Sequence, residues 1–225
     1  MRGFIFDFNG TLFYDSPMHN EVFKRICGDY GIPEYSDEYI LKNIFGRANR
    51  DILLNNYNKD ASEDEIAYFN EYKEERYREL CLEKKEDLHL AYGAPEFLDY
   101  LKLNGIPYCI ATSSPRANMD FYFEYLDLGR WFSYDKNVIY DDGTLVCKPA
   151  PDVYLRAATK LGIVPEDCIV FEDSKVGIIA ANNAGIKDVF ALVREGDMSP
   201  SDSSMFVAGE IPDFTGYMEI IDRFI

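Results

Sequence analysis

The chain opens on a short apolar run, Phe4, Ile5 and Phe6, that stops at Asp7. A continuous apolar run of this length predicts a strand buried on both faces, placed at 3–8. From about 16 to 88 the pattern changes to the helical period, with Val22, Phe23, Ile26 and Tyr30, then Ile52, Leu53 and Tyr57, then Ile66, Phe69 and Tyr72. Ser62 with Glu65 is a capping box that opens one of these helices. No strand is expected between 16 and 88, so the stretch reads as a small helical domain.

From about 94 strands and helices alternate. A helix is expected at 94–103, ended by Gly105, and a strand at 108–112. Ser114 and Pro115 are placed as N-cap and first residue of a helix running to about 127. A short strand near 137–140 follows, then a helix at 151–161 closed by Gly162. A strand at 168–173, a helix at 174–184 and a strand at 188–192 complete the pattern, with a last strand end and short helix in "PDFTGYMEII". The fold class is therefore α/β, a Rossmann-like parallel sheet covered on both faces. Its core is expected from 1–15 and 89–225, and 16–88 is an inserted helical cap. In such folds ligands sit beyond the carboxyl ends of the strands. Asp7, Thr112, Glu172 and Asp173 fall there.

A chain of 225 residues suits one domain or a domain with an insert. Its formal net charge of −17 repels nucleic acid and anionic membranes, so neither is expected as a partner. An anionic substrate would then need a positive charge built into the site. The five cysteines form no CxxC pair and neither a leader nor a membrane span is expected, so the reading is reduced, buried thiols in a cytoplasmic protein. Two histidines, His19 and His89, are too few and too far apart for a zinc site. A monomer or weak dimer is the expected state.

Taken alone, Asp7 reads as a turn former ahead of a nucleophile or metal ligand. Glu172 and Asp173, adjacent at a strand end, would repel each other unless one caps the next helix or a hard cation such as Mg²⁺ joins them. Thr112, Ser113 and Ser114 lie between strand and helix, where hydroxyls and free N–H groups form an anion site or an ordinary cap. Lys148, in "CKPAPDVY", is a surface lysine by default and a phosphate partner beside clustered acids.

In order, "DFNGTL", "ATSS", "KPAPDVYLRAA" and "VFEDSKVGIIAANNAG" resemble the four motifs of the haloacid dehalogenase superfamily. The helical insert, with "DSPMH" at its entry, resembles the β-phosphoglucomutase-like branch of phosphatases and phosphomutases. The resemblance implies the haloacid dehalogenase fold and phosphoryl transfer to a nucleophilic Asp7. It implies Mg²⁺ on Asp7, the Asn9 carbonyl and Asp173, with Glu172 behind them or joined through water. Thr112 and the Ser113 and Gly10 amides would hold the phosphate of a small phosphorylated metabolite, and Lys148 would neutralise it. The insert would be a lid, with His19, Arg47 and Arg50 as its substrate-side residues. Each Arg reads equally well as a solvated helix face.

One position departs from the pattern. Phosphatases and mutases of the family carry Asp where this chain has Asn9, and use it as general acid and base. Asn cannot transfer that proton, a function typically worth about 10²–10⁴ in rate. Three readings follow: a slow phosphatase on a sugar phosphate, with a phosphomutase as its alternative; a phospho-ligand binder with little turnover; or deamidation at Asn9-Gly10 to give some Asp.

Overall fold

The computed structural model describes residues 1–31, 34–44, 48–195 and 198–225. In chain order, β1 is Gly3–Phe6, followed by helices α1 (Ser16–Asp29), α2 (Asp37–Asn43), α3 (Asn49–Ile52) and α4 (Glu63–Glu83). The remainder alternates: α5 (Ala94–Leu103), β2 (Tyr108–Pro115), α6 (Arg116–Tyr125), α7 (Tyr134–Asn137), β3 (Val138–Asp141), α8 (Asp152–Leu161), β4 (Cys168–Glu172), α9 (Lys175–Asn183), β5 (Asp188–Leu192), β6 (Gly209–Ile211) and α10 (Tyr217–Phe224). Contacts divide the chain into two units, Met1–Tyr14 with His89–Ile225, and Asp15–Leu88.

The first unit holds one six-stranded sheet in the order β3-β2-β1-β4-β5-β6, every pair parallel. β1 lies between β2 and β4, with Ile5 opposite Cys109 on one side and Val170 on the other. This is the point where the strand order reverses, and where α/β sheets leave a crevice beyond their carboxyl ends. Alternate side chains of β1 serve opposite faces. Phe4 and Phe6 pack with Phe97 of α5, with Phe171, and for Phe6 with Phe214. Ile5 joins the other face, against Val153, Tyr154 and Ala157 of α8 and Ile178 and Ala181 of α9.

β2 is longer than the apolar pattern suggests. It continues through Thr112, Ser113 and Ser114 to Pro115, which pairs with Asp141 after a register shift. Pro115, not Ser114, is the N-cap of α6. The cause is long range: pairing with β3 keeps this polar segment extended, and the Ser114 hydroxyl is engaged elsewhere.

Among its described residues the second unit holds helices and connecting turns and no strand. Ser62 caps α4 as expected, its hydroxyl accepting from the Glu65 N–H while the Glu65 carboxylate accepts from the Ser62 N–H. All five cysteines are free thiols. Burial pushes the Cys81 thiol up to about 12 and that of Cys168 to about 11. Among the described residues no helix is long and apolar enough to cross a membrane.

Phe171 touches Phe4, Phe6, Phe97, Phe190 and Phe214 and is fully buried. Phe171→Ala should lower unfolding stability by about 3–5 kcal/mol, read from chemical denaturation.

Candidate active site

The sheet brings the acids together. The Asp7 N–H donates to the Phe171 carbonyl at 3.0 Å, so the β1–β4 pairing fixes Asp7 one step past the strand end. Glu172 ends β4 and Asp173 follows it. Asp7, Glu172 and Asp173 each present a carboxylate oxygen, all within 4.8 Å of one another.

Lys148 arrives from the segment between β3 and α8. Its Nζ lies 2.7 Å from Asp7 Oδ1 and also binds Glu172 Oε1. Burial alone would push the ammonium down. The Asp7 and Glu172 charges outweigh it and hold Lys148 well above its ordinary range.

Glu172 is fully buried and held on both oxygens. Besides Lys148, Oε1 accepts from the Tyr154 hydroxyl (3.0 Å), while Oε2 accepts from the Ser174 N–H (2.8 Å) and hydroxyl (3.0 Å). Ser174 is also the N-cap of α9, accepting from the Gly177 N–H. A Cβ at Gly177 would lie 1.7 Å from Glu172 Oε1, so only glycine admits the carboxylate to the helix start. Gly10 does the same for Asp173. Its φ is +77°, and a Cβ there would lie 1.8 Å from Asp173 Oδ2. The Gly10 N–H, expected to hold a phosphate, instead donates to the Phe13 carbonyl at 2.7 Å. The turn from Phe8 to Phe13 closes on itself, and that closure takes this donor.

Thr112 is buried, its hydroxyl accepting from the Ser114 N–H at 3.1 Å, and Ser113 is exposed beside it. Asn9 is gripped at both ends of its amide. Oδ1 accepts from the Ser114 hydroxyl at 2.5 Å, and Nδ2 donates to the Tyr122 hydroxyl at 2.7 Å. Deamidation requires the Gly10 nitrogen to attack the Asn9 side chain. That nitrogen's N–H is engaged and the side chain is pinned, so the geometry opposes it.

The insert has its own polar cluster. His19 Nε2 lies 3.2 Å from Asp15 Oδ2, its ring stacks on Tyr77 with centroids 4.2 Å apart, and Nδ1 lies 3.2 Å from Lys73 Nζ. Tyr77 donates to the same Asp15 oxygen. Lys73 is buried against Glu74 (2.8 Å), which also accepts from Asn49 (2.7 Å). Burial alone would raise the Glu74 carboxyl; the Lys73 charge beside it, aided by His19, brings it down to about 2. Arg50 makes a two-pronged, exposed ion pair with Glu63 at 2.6 and 2.7 Å. Arg47 lies outside the described residues.

Several of these residues were not anticipated. Tyr154, Ser114 and Tyr122 as partners of the acids and the amide have no local signature. Asp15 with His19, and Lys73 with Tyr77, each sit four residues apart on a helical face, a spacing that could have paired them.

Lys148→Met leaves two buried carboxylates without their cation. At pH 7 without added metal it should cost about 3–5 kcal/mol in denaturant unfolding. The folded-state pKa of Lys148 is raised, so its contribution is full below the free lysine range and fades as pH rises through the folded value.

The haloacid dehalogenase-like hydrolase family matches residues 1–185. A phosphorylated carbohydrates phosphatase from Thermotoga maritima is 32% identical over 86% of each chain. A crystal structure of a HAD hydrolase, family IA, variant 3 from Entamoeba histolytica is 32% identical, covers 99% of this chain and 98% of its own, and superposes with a TM-score of 0.87. The β-phosphoglucomutase of Clostridium difficile shares the fold, with a TM-score of 0.76 at 22% identity over 100% of this chain and 97% of that one. A parallel sheet with its acids gathered where the strand order reverses, and a family match running from the first strand through α9, lead to one conclusion: this chain belongs to the haloacid dehalogenase-like hydrolase family.

Proposed function

We propose that the protein is a Mg²⁺-dependent phosphatase of a small phosphorylated metabolite, of the sugar phosphate class, working through an aspartyl-phosphate on Asp7. The observation that carries this is the cluster of Asp7, Glu172 and Asp173 at the ends of β1 and β4, with the Lys148 ammonium bound to Asp7 and Glu172. The phosphatase from Thermotoga maritima supports the substrate class.

The donor set fits the metal. All three side chains offer hard carboxylate oxygens, and Mg²⁺ takes one or two carboxylates with substrate phosphate and water. Asp7, Asp173 and the Asn9 carbonyl would hold it, and it would offset charge on the transferring group. Glu172, with its oxygens engaged by Lys148, Tyr154 and Ser174, orients Lys148. Thr112, Ser113 and Lys148 hold the phosphate. Asp7 Oδ attacks phosphorus and the ester oxygen leaves; water then attacks the same phosphorus and frees the Asp7 carboxylate with inorganic phosphate. Phosphoryl transfer asks mainly for such positioning and charge neutralisation. The helical insert acts as a lid carrying the groups that distinguish one ester from another, with His19 and Arg50 assigned there.

Asn9 favours a second reading, a phospho-ligand binder with slow turnover. Neither the leaving oxygen nor the attacking water finds a proton carrier at residue 9. A phosphomutase of the β-phosphoglucomutase type shares the first half-reaction and would show as transfer between two hydroxyls of one sugar.

A panel of phosphate esters with Mg²⁺ tests the reading. Turnover on an ester supports it, and tight binding without turnover supports the binder. Asp173→Ala should abolish Mg²⁺ binding in a calorimetric titration, and unchanged binding would remove the metal assignment.

Asn9→Asp should raise turnover of alkyl phosphates by about 10²–10⁴, with a smaller gain on aryl phosphates, whose leaving group needs no proton. The unaltered protein should show a burst and a phosphate adduct on Asp7 in intact-mass spectra. Brisk turnover with the Asn9 amide intact would mean that another group carries the proton.

A further inference from the structure

Arg194 stands two residues beyond β5, at the carboxyl end of the sheet. The backbone it leaves from is fixed, since the Val193 N–H donates to the Ile211 carbonyl at 2.9 Å. From there its side chain reaches Gly10, 184 positions away in sequence, and Tyr14. Nη1 donates to the Gly10 carbonyl at 2.7 Å, and the guanidinium carbon lies 4.0 Å from the centroid of the Tyr14 ring. These are the two ends of the segment that follows the nucleophile.

The segment between them is tightly built. The Thr11 and Phe13 N–H groups donate to the Phe8 carbonyl, and the Gly10 N–H to the Phe13 carbonyl. Gly10, in its left-handed conformation, presses on Asp173 from one side. Its carbonyl accepts from Arg194. Tyr14 is the last residue of the sheet-bearing unit before the helical insert begins at Asp15. A planar guanidinium donates along its edge while it stacks through its face, so one side chain grips both ends. An ammonium makes only the first contact.

We propose that Arg194 is a positioning residue of the phosphoryl-transfer site, clamping Gly10 and Tyr14 so that the turn after Asp7 keeps the shape that admits Asp173. The proposal rests on the reading of Asp7 as nucleophile.

The test compares Arg194→Ala, Arg194→Lys, Tyr14→Leu and the Arg194→Ala/Tyr14→Leu pair with the parent, using an aryl phosphate and Mg²⁺. Arg194→Ala should lower kcat, or the burst rate if turnover is too slow, about tenfold or more with KM within about twofold, the pattern of lost transition-state geometry. Arg194→Lys should recover part of the loss. The double variant should lose less than the product of the single losses, because both contacts belong to one clamp. A raised KM at unchanged kcat would overturn the proposal, since Arg194 would then bind the substrate's anion. Strict additivity of the two losses would also overturn it.

Hydrogen exchange provides a readout that does not depend on activity. In Arg194→Ala the amides of residues 10–14 should exchange about tenfold faster while those of β1 and β4 stay unchanged. No turnover on any ester by the parent protein would end the phosphatase reading alone, and unchanged exchange at 10–14 would end this one.

Discussion

The arrangement of this protein depends on a repulsion. Three carboxylates lie within 4.8 Å of one another. Two unit charges about 4 Å apart repel by about 4 kcal/mol at the effective dielectric of a protein surface. The fold places them there because β1 and β4 are neighbours in register, and the opposing forces come from elsewhere in the chain. Lys148 joins two of the acids, Tyr154 and Ser174 hold Glu172, and two glycines remove the side chains that would keep Glu172 and Asp173 out. A site so arranged is pre-organised for a charged ligand.

The elements were largely legible in the sequence because their signals are local. Period-2 or continuous apolar runs mark β1, β4 and β5, and Ser62 with Glu65 marks the start of α4. The acids and Lys148 were legible as motif positions. What the sequence did not show comes from contacts between distant residues. β2 runs on to Pro115 because β3 pairs with it, and Ser114 leaves the capping role because Asn9 lies within reach of its hydroxyl. The use of the Gly10 N–H in closing its own turn was equally hidden, since any glycine after Asn reads as a free donor.

Asn9 shows how little the surroundings resist an exchange of chemistry. Its amide is held by two hydroxyls, Ser114 and Tyr122. A hydroxyl both donates and accepts, so Tyr122 accepts from an amide and could donate to a carboxylate in the same place. An Asp at residue 9 could thus be held by the same two hydroxyls that hold the amide.

The position of the insert also governs the order in which the protein can assemble. β1 precedes the whole helical unit in the chain, and its sheet partners begin beyond that unit, at Tyr108 and Cys168. Until the segment from Cys168 has left the ribosome, Phe4, Ile5 and Phe6 have no strand on one side. The helices of 15–88 make their contacts within one stretch and can form early, whereas the sheet must close a long loop before its central strand is buried. A nascent chain of this design exposes its most apolar strand throughout that interval, and it is there that misassociation competes with folding.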